Sequence, residues 1–308
     1  MANRFFRSGT IDRKTYSDQL SKTFDVMWLR AQGMVMRLER YFSQETLANG
    51  DEFKIGSVGS GLSLPVENED TAELPQTQPA TGFSKTLTMV PYRTSVKVTD
   101  NMRIMERYSK VEGMVSGLPN SGNQKREYLR AGIINGAFTG TAGADSLALC
   151  YDSHPHENNE MGTWDNLGTG ALTVGNLHAL RLLGQKMTDE WGRPMQVTLQ
   201  DLLIPPDLER KAQELKIAEK DPETALNTPN VLIRMGYVVS PHLSSTTAYF
   251  GFGDLQGEAK GIHEVTLQAP NVKDTTKPNV DIIIFKRLKM VLAVGYSQSK
   301  NIFGSVGT

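Results

Sequence analysis

The stretch VTLQDLLIPPDLERKAQEL, residues 197–215, leaves this chain the least freedom. Val197, Leu199, Leu202, Leu203 and Ile204 form a short, β-favouring apolar run of the kind a buried strand presents. Pro205-Pro206 ends it, because proline offers no N–H to a ladder and steers its predecessor away from the α region. Proline suits a first helical turn, where Asp207 and Glu209 place negative charge at the positive end of the dipole. Leu208, Ala212 and Leu215 then fall on one helical face. The spacing predicts a strand through the middle of a domain, a sharp corner and a helix. Nothing in it is catalytic.

The second constraint is a stretch with no core of its own. Residues 53–64 are extended and punctuated by Gly56, Gly59 and Gly61, and without a following Gly-Lys-Ser/Thr they make no phosphate loop. PVENEDTAELPQTQPATG, residues 65–82, is rich in Pro, Thr and acid, and FSKTLTMVPYRTSVKVT at 83–99 reads as a long strand. Phe83, Leu87 and Met89 share one parity, while Val90, Tyr92, Val96 and Val98 share the other. The strand is therefore expected to bend near Pro91 between two environments. No Lys or Arg occurs between Ile55 and Ser84, where Glu67, Glu69, Asp70 and Glu73 crowd together. So long a coreless segment is uncommon inside a compact domain, and an isolated hairpin is marginal in water. It is either disordered or a projecting two-stranded arm that finds its apolar partner on a neighbouring chain. The patterned flanks favour the arm, which requires oligomerisation.

Helical stripes supply the rest of the frame. Leu20, Phe24, Met27, Ala31, Met34, Leu38 and Tyr41 keep a heptad spacing within residues 16–42. Gly33 and the mixed seam sizes favour an amphipathic helix on its own domain over a coiled coil. Residues 100–118 read as helical up to Gly117-Leu118-Pro119. A capping box of Ser121 and Gln124 then starts a second helix with Leu129, Ile133, Ile134, Ala137 and Phe138 on its stripe, to about Thr139. Leu177, Leu180, Leu183 and Met187 mark another helix over 173–192. Strands are expected at 231–241, 248–254, 263–269 and 281–296, with a charged connection over 216–229 and SQSKNIFGSVGT trailing at the end.

Composition excludes several function classes. With 39% hydrophobic and 22% charged residues over 308 positions, the chain has ample material for a core. A formal net charge of −1 argues against holding polyanions by bulk charge, although residues 1–40 carry eight Lys/Arg against four Asp/Glu. One cysteine, Cys150, rules out an intrachain disulfide or a thiolate zinc cluster and suits a reducing cytoplasm; a buried inert thiol is the expectation there. The N-terminus lacks the apolar core of a signal peptide, and no stretch is apolar enough to span a membrane. Asp152, His154, His156, Glu157 and Glu160 are the one cluster of ligand-type residues. However, His154 and His156 would point to opposite sides of an extended chain, and Pro155 with the Asn pair reads as loop. Hydrogen-bonded or exposed loop histidines are therefore expected, and no metal.

The corner at Leu203-Ile204-Pro205-Pro206, with Leu208 and Ala212 behind it, resembles the strand–proline–helix stretch in the axial domain of tailed-bacteriophage major capsid proteins. The order of arm, proline-bent strand, long helix and TGTAG turn (139–143) resembles the extended loop, peripheral-domain strand and spine helix of the Hong Kong 97-like bacteriophage capsid fold. The lead-in around His154-Pro155 is similar to that of Mu-like head subunits. The resemblance implies an α+β chain with an N-terminal arm (1–52), an extended loop opening the peripheral domain (53–98), a peripheral domain with its spine helix (99–147), an inserted axial domain (148–278) and a return to the peripheral domain (279–308). It implies a structural protein, not an enzyme, without a cofactor. Hexamers and pentamers would close an icosahedral shell around double-stranded DNA held by weak non-specific contact, with a portal and scaffolding or decoration proteins as partners. The shell would be assembled in the bacterial cytoplasm, with no membrane involved. Between subunits, the acidic tip (Glu67, Glu69, Asp70, Glu73) needs a basic seat, either on residues 1–40 or at Lys125, Arg126 and Arg130. Phe83, Leu87 and Met89 are the arm's apolar contacts. An encapsulin-type compartment shares the fold and is the first alternative; a metal-assisted hydrolase using Asp152, His154, His156 and Glu157 is the second.

Overall fold

The computed structural model describes residues 36–56, 82–99, 101, 108–140, 143–157, 162–218, 220, 230, 235–253, 260–274, 282–297 and 300–307. Glu67, Glu69, Asp70 and Glu73, positions 20–34 of the heptad pattern, Glu160 and most of 216–229 lie outside them. The elements begin with β1 (Ser43–Thr46), β2 (Glu52–Gly56), β3 (Ser84–Thr88), β4 (Val90–Thr99) and α1 (Tyr108–Asn135). Next come β5 (His154–Pro155), β6 (Thr163–Trp164), β7 (Leu167–Gly168), α2 (Val174–Lys186), β8 (Asp201–Ile204) and α3 (Glu209–Ile217). The last are β9 (Gly236–Val239), β10 (Tyr249–Phe252), β11 (Ile262–Asp274), β12 (Ile282–Tyr296) and β13 (Ile302–Ser305). They divide into two units, one of residues 1–36, 90–126 and 267–292 and one of 37–89, 127–266 and 293–308.

The second unit is built on a five-stranded sheet in the order β7-β13-β10-β8-β9. All four residues of β8 are buried, and their alternation feeds two cores. Leu203 joins Phe250, Phe252 and Ile302 with Ala131 and Ile134 from the end of α1. Leu202 and Ile204 join Tyr249 and Phe303 with Leu177 and Leu180 of α2 and Ala212 and Leu215 of α3. With both faces covered, the strand must be apolar at successive positions, and each such side chain contributes about 1.5–3 kcal/mol. The corner forms as the sequence dictates: Pro205 is extended at ψ 162°, Pro206 opens a 3-10 turn over Pro206–Leu208, and α3 follows.

Two expectations fail in this unit. The end of the chain does not trail, since Ile302–Ser305 is fully buried and lies between β7 and β10. Gly304 is needed there, because a Cβ would sit 2.7 Å from Cys150 Sγ and 2.9 Å from the Phe138 ring. Leu38 and Tyr41 do not continue a helix to 42; Glu39–Tyr41 is a 3-10 turn, and both side chains are buried in the core, Tyr41 stacked on Phe252 at 4.0 Å.

In the first unit β12 pairs antiparallel with β4, from Phe285↔Lys97 through Arg287↔Ser95, Lys289↔Arg93 and Met290↔Tyr92 to Leu292↔Val90, and β11 lies on the other side of β12. Leu288 faces α1, reaching within 3.0 Å of where a Gly122 Cβ would be. The predicted break at Pro119 is absent: α1 runs unbroken from Tyr108 to Asn135 with Pro119 inside it. Ser121 caps nothing; its hydroxyl donates to the Leu118 carbonyl at 2.6 Å. Leu118 and Pro119 are both buried, so packing overrides the local cost of the proline.

Candidate functional site

The base of the arm is a two-stranded ribbon, β2 antiparallel to β3, with Phe53 opposite Leu87 and Gly56 opposite Ser84. Its apolar residues are held inside the second unit. Leu87 and Met89 are buried, and a Cβ on Gly295 would lie 2.4 Å from Leu87 Cδ2, so glycine is what lets β3 approach β12 there. Met89 N–H donates to the Asp51 carbonyl at 2.8 Å. Half-buried Phe83 starts the returning strand, and its N–H donates to Glu157 Oε1 at 3.1 Å. Lys85 lies 5.7 Å from the centroid of the Tyr296 ring; burial lowers its pKa, and nearby Asp145 works against that.

The histidines are committed to separate partners. His154 Nδ1 is 2.7 Å from Asp145 Oδ2, and its ring stacks on Trp164 at 4.3 Å. His156 Nδ1 lies 3.5 Å from Glu190 and 3.4 Å from Lys300 Nζ, and Lys300 pairs with Glu190. Both rings are buried, so of the two expected outcomes the hydrogen-bonded one holds and the exposed loop does not. Burial, with Lys300 adding to it, holds the His156 pKa below its ordinary value. Glu157 is pushed up to about 7, chiefly by burial and then by Glu190. Asp152 is exposed. Among the described residues no three His, Cys, Asp or Glu side chains are grouped to hold a metal. Cys150 is buried, and burial raises its thiol pKa far above the usual range, which leaves it a packing residue.

Of the basic residues proposed as a seat, Lys125 and Arg126 are half-buried on α1, with Lys125 Nζ 5.2 Å from the Tyr92 ring centroid. Arg130 is fully buried. Its Nη1 donates to Glu127 at 2.8 Å and its Nε to Glu264 at 2.5 Å, so its charge is spent inside the chain. Sequence reasoning missed Glu264, which lies 134 positions away and carries no local signal. It also missed Asn166: fully buried, its Nδ2 donates to the Leu149 and Ile302 carbonyls at 2.9 Å, and its Oδ1 accepts from Tyr151 N–H at 2.8 Å.

The sequence model of a family described as phage capsid protein matches residues 85–297, well over half of the chain. The chain belongs to the phage capsid protein family. Solved capsids share its fold. The capsid of cyanophage P-SCSP1u is 13% identical with a TM-score of 0.57, the alignment covering 89% of this chain and 88% of that one. The capsid of Ralstonia phage GP4 is 9% identical with a TM-score of 0.51, covering 86% of each chain. The Mycobacterium phage Cain structure is 11% identical with a TM-score of 0.50, covering 97% and 99%. A comparison with curated proteins gave no match. The fold is α+β and Hong Kong 97-like, and the chain is a major capsid protein of the tailed-phage type, a structural protein of the virion shell. No described helix is long and apolar enough to cross a membrane.

Proposed function

We propose that this capsid protein assembles into hexamers and pentamers of an icosahedral shell around double-stranded DNA, and that its work is burial of surface between copies, with no turnover. The observation that carries this is the capsid-family match running from the arm's returning strand through β12. In this reading residues 53–98 form the extended loop, 99–147 hold the spine helix of the peripheral domain, 148–278 the axial domain and 279–308 the peripheral return. Residues 1–52 are the N-terminal arm. The lead-in at His154-Pro155 resembles that of Mu-like head subunits, which supports a kinship with them. Assembly takes place in the host cytoplasm, with a portal and scaffolding or decoration proteins as partners and weak non-specific contact to the DNA. Phe83 and the acidic residues Glu67, Glu69, Asp70 and Glu73 contribute intersubunit contacts, whereas Leu87, Met89 and Arg130 act from inside the subunit. The encapsulin-type alternative is not favoured by the family match. Electron microscopy of the expressed protein, alone and with a phage scaffold, is expected to show closed shells or capsomers. Only 34.0 kDa particles under both conditions would refute the reading.

A further inference from the structure

We propose that Glu157 is a proton-operated latch on the open end of the β2–β3 ribbon: with its proton it holds Phe83, and on giving that proton to water the carboxylate leaves its buried place and frees that end of β3. This goes beyond the shell reading, concerns a single copy of the chain and is tested on the unassembled subunit.

The ribbon is fastened differently at its two ends. At its root Leu87 and Met89 are buried, and Met89 N–H donates to the Asp51 carbonyl. At the other end Gly56 faces Ser84, and just beyond that pair Phe83 N–H donates to Glu157 Oε1 at 3.1 Å. Glu157 lies two residues past β5, and its own N–H donates to Glu190 Oε2 at 2.5 Å, so the latch is moored to the loop that follows α2. An apolar root holds at any pH, whereas a carboxyl in such surroundings holds according to its proton.

The groups around Glu157 are arranged against its ionisation. Lys300 Nζ pairs with Glu190 and donates to the Thr188 carbonyl at 3.2 Å. His156 Nδ1 is 3.5 Å from Glu190 and its Nε2 is 3.4 Å from Thr188 Oγ1, while burial and Lys300 disfavour its charged form. Asp189, beside Glu190 in the chain, is taken up by the Arg193 side chain and by the N–H groups of Trp191 and Arg193. Lys300 is thus one cation before two carboxyls. Ionising Glu157 sets a second negative charge next to Glu190, and Glu157 Oε2, sealed from water, has no hydrogen-bond partner among the described residues to meet it. The adjoining stretches of chain outside those residues, 57–81, 158–161 and 298–299, contain no Lys or Arg. Burial first, then Glu190, push the Glu157 pKa up to about 7, against the opposing pull of Phe83 N–H and Lys300.

The sign follows from linkage. With the latch closed the proton is held up to about 7, and with Glu157 in water only to its ordinary 4.5. The latch is therefore fully engaged below about 4.5, weakens about tenfold per pH unit above that, and levels off once pH has risen through 7.

The test is hydrogen exchange at the Phe83 amide of the unassembled full chain, corrected for the intrinsic rate, with circular dichroism confirming the fold. Between pH 6 and pH 8 wild-type protection is expected to fall about tenfold relative to Glu157→Gln, whose neutral side chain still accepts from Phe83 N–H but has no proton to lose. Glu157→Ala is expected to lose protection at both pH values. Glu190→Gln removes the opposing carboxylate and leaves Lys300 to Glu157, so the midpoint of the fall is expected to move below 7; this variant carries the test if Glu157→Gln does not fold. Wild-type protection that is level from pH 6 to 8, the same fall in Glu157→Gln, or an unmoved midpoint in Glu190→Gln overturns the proposal. So does full protection in Glu157→Ala, which would show that Phe83 is held by other groups.

Discussion

The two units treat positive charge in opposite ways. In the second, Arg130 is sealed from water and held between Glu127 and Glu264, Lys300 is paired with Glu190, and Arg193 is 2.5 Å from Asp189. In the first, Arg93 faces Lys289 across a ladder and Arg287 stands beside them. A buried charge has to be neutralised where it stands, because desolvation costs more than one poor contact returns. A charge at the surface carries no such obligation, since water and salt hold its cost down. Arg130 and Lys300 of the second unit are thus neutralised where they stand, while Arg93 and Lys289 of the first oppose each other across the ladder.

The contrast breaks hardest at Arg130. Arg130→Met leaves Glu127 and Glu264 buried without their cation and is expected to cost about 3–5 kcal/mol, read as a lowered denaturant midpoint of the unassembled subunit. Replacing all three residues with apolar ones of similar volume should cost far less; an equal cost would show that packing, not charge, holds this site. A smaller effect belongs to Glu157. Its folded pKa, near 7, stands above the ordinary 4.5, so its stabilising share is full below about 4.5 and is lost as pH rises through 7. His156, held below its ordinary 6.5, works the other way, since its protonation costs stability as pH falls. Glu157→Gln can still accept from Phe83 N–H and removes the first of these slopes, so its melting temperature should gain on wild type from pH 5 to 8. Parallel profiles would remove Glu157 from the account. The smallest effect has the reverse sign: Arg93→Gln is expected to leave the unassembled subunit unchanged or to stabilise it by about 0.2–1 kcal/mol, by relieving Lys289. A clear loss of stability would mean that Arg93 has an internal partner after all.

What could be read in advance follows the range of the signal. The proline corner, the α2 stripe and the parity change near Pro91 are local patterns, and each appears within a few residues of its expected place. Pro119 misled because the breaker is local while the packing of Leu118 and Pro119 is not. Ile302–Ser305 was missed for the complementary reason. A four-residue strand buried on both faces, with a glycine in it, shows no alternation and too little length to stand out. His154 reads as loop because His154-Pro155 against Thr163-Trp164 is only a two-residue ladder, too short to show alternation, whereas the hydrogen-bonded outcome expected for both histidines holds. The capsid resemblance was legible because it rests on the order of elements, whereas the Arg130–Glu264 contact and the opposition of Arg93 and Lys289 depend on which residues register brings together.

The position of β13 sets a timetable. It occupies the slot between β7 and β10, parallel to one and antiparallel to the other, yet it is synthesised after both and after β11 and β12. On the ribosome β7 and β10 emerge before the strand that joins them, so the sheet stays open through the translation of residues 253–301, which separate β10 from β13. A capsid subunit that closed early could nucleate a particle on a polysome, beside its own unfinished copies. A middle strand delivered after its neighbours makes the closing of that sheet wait until everything from β7 through β13 has been made.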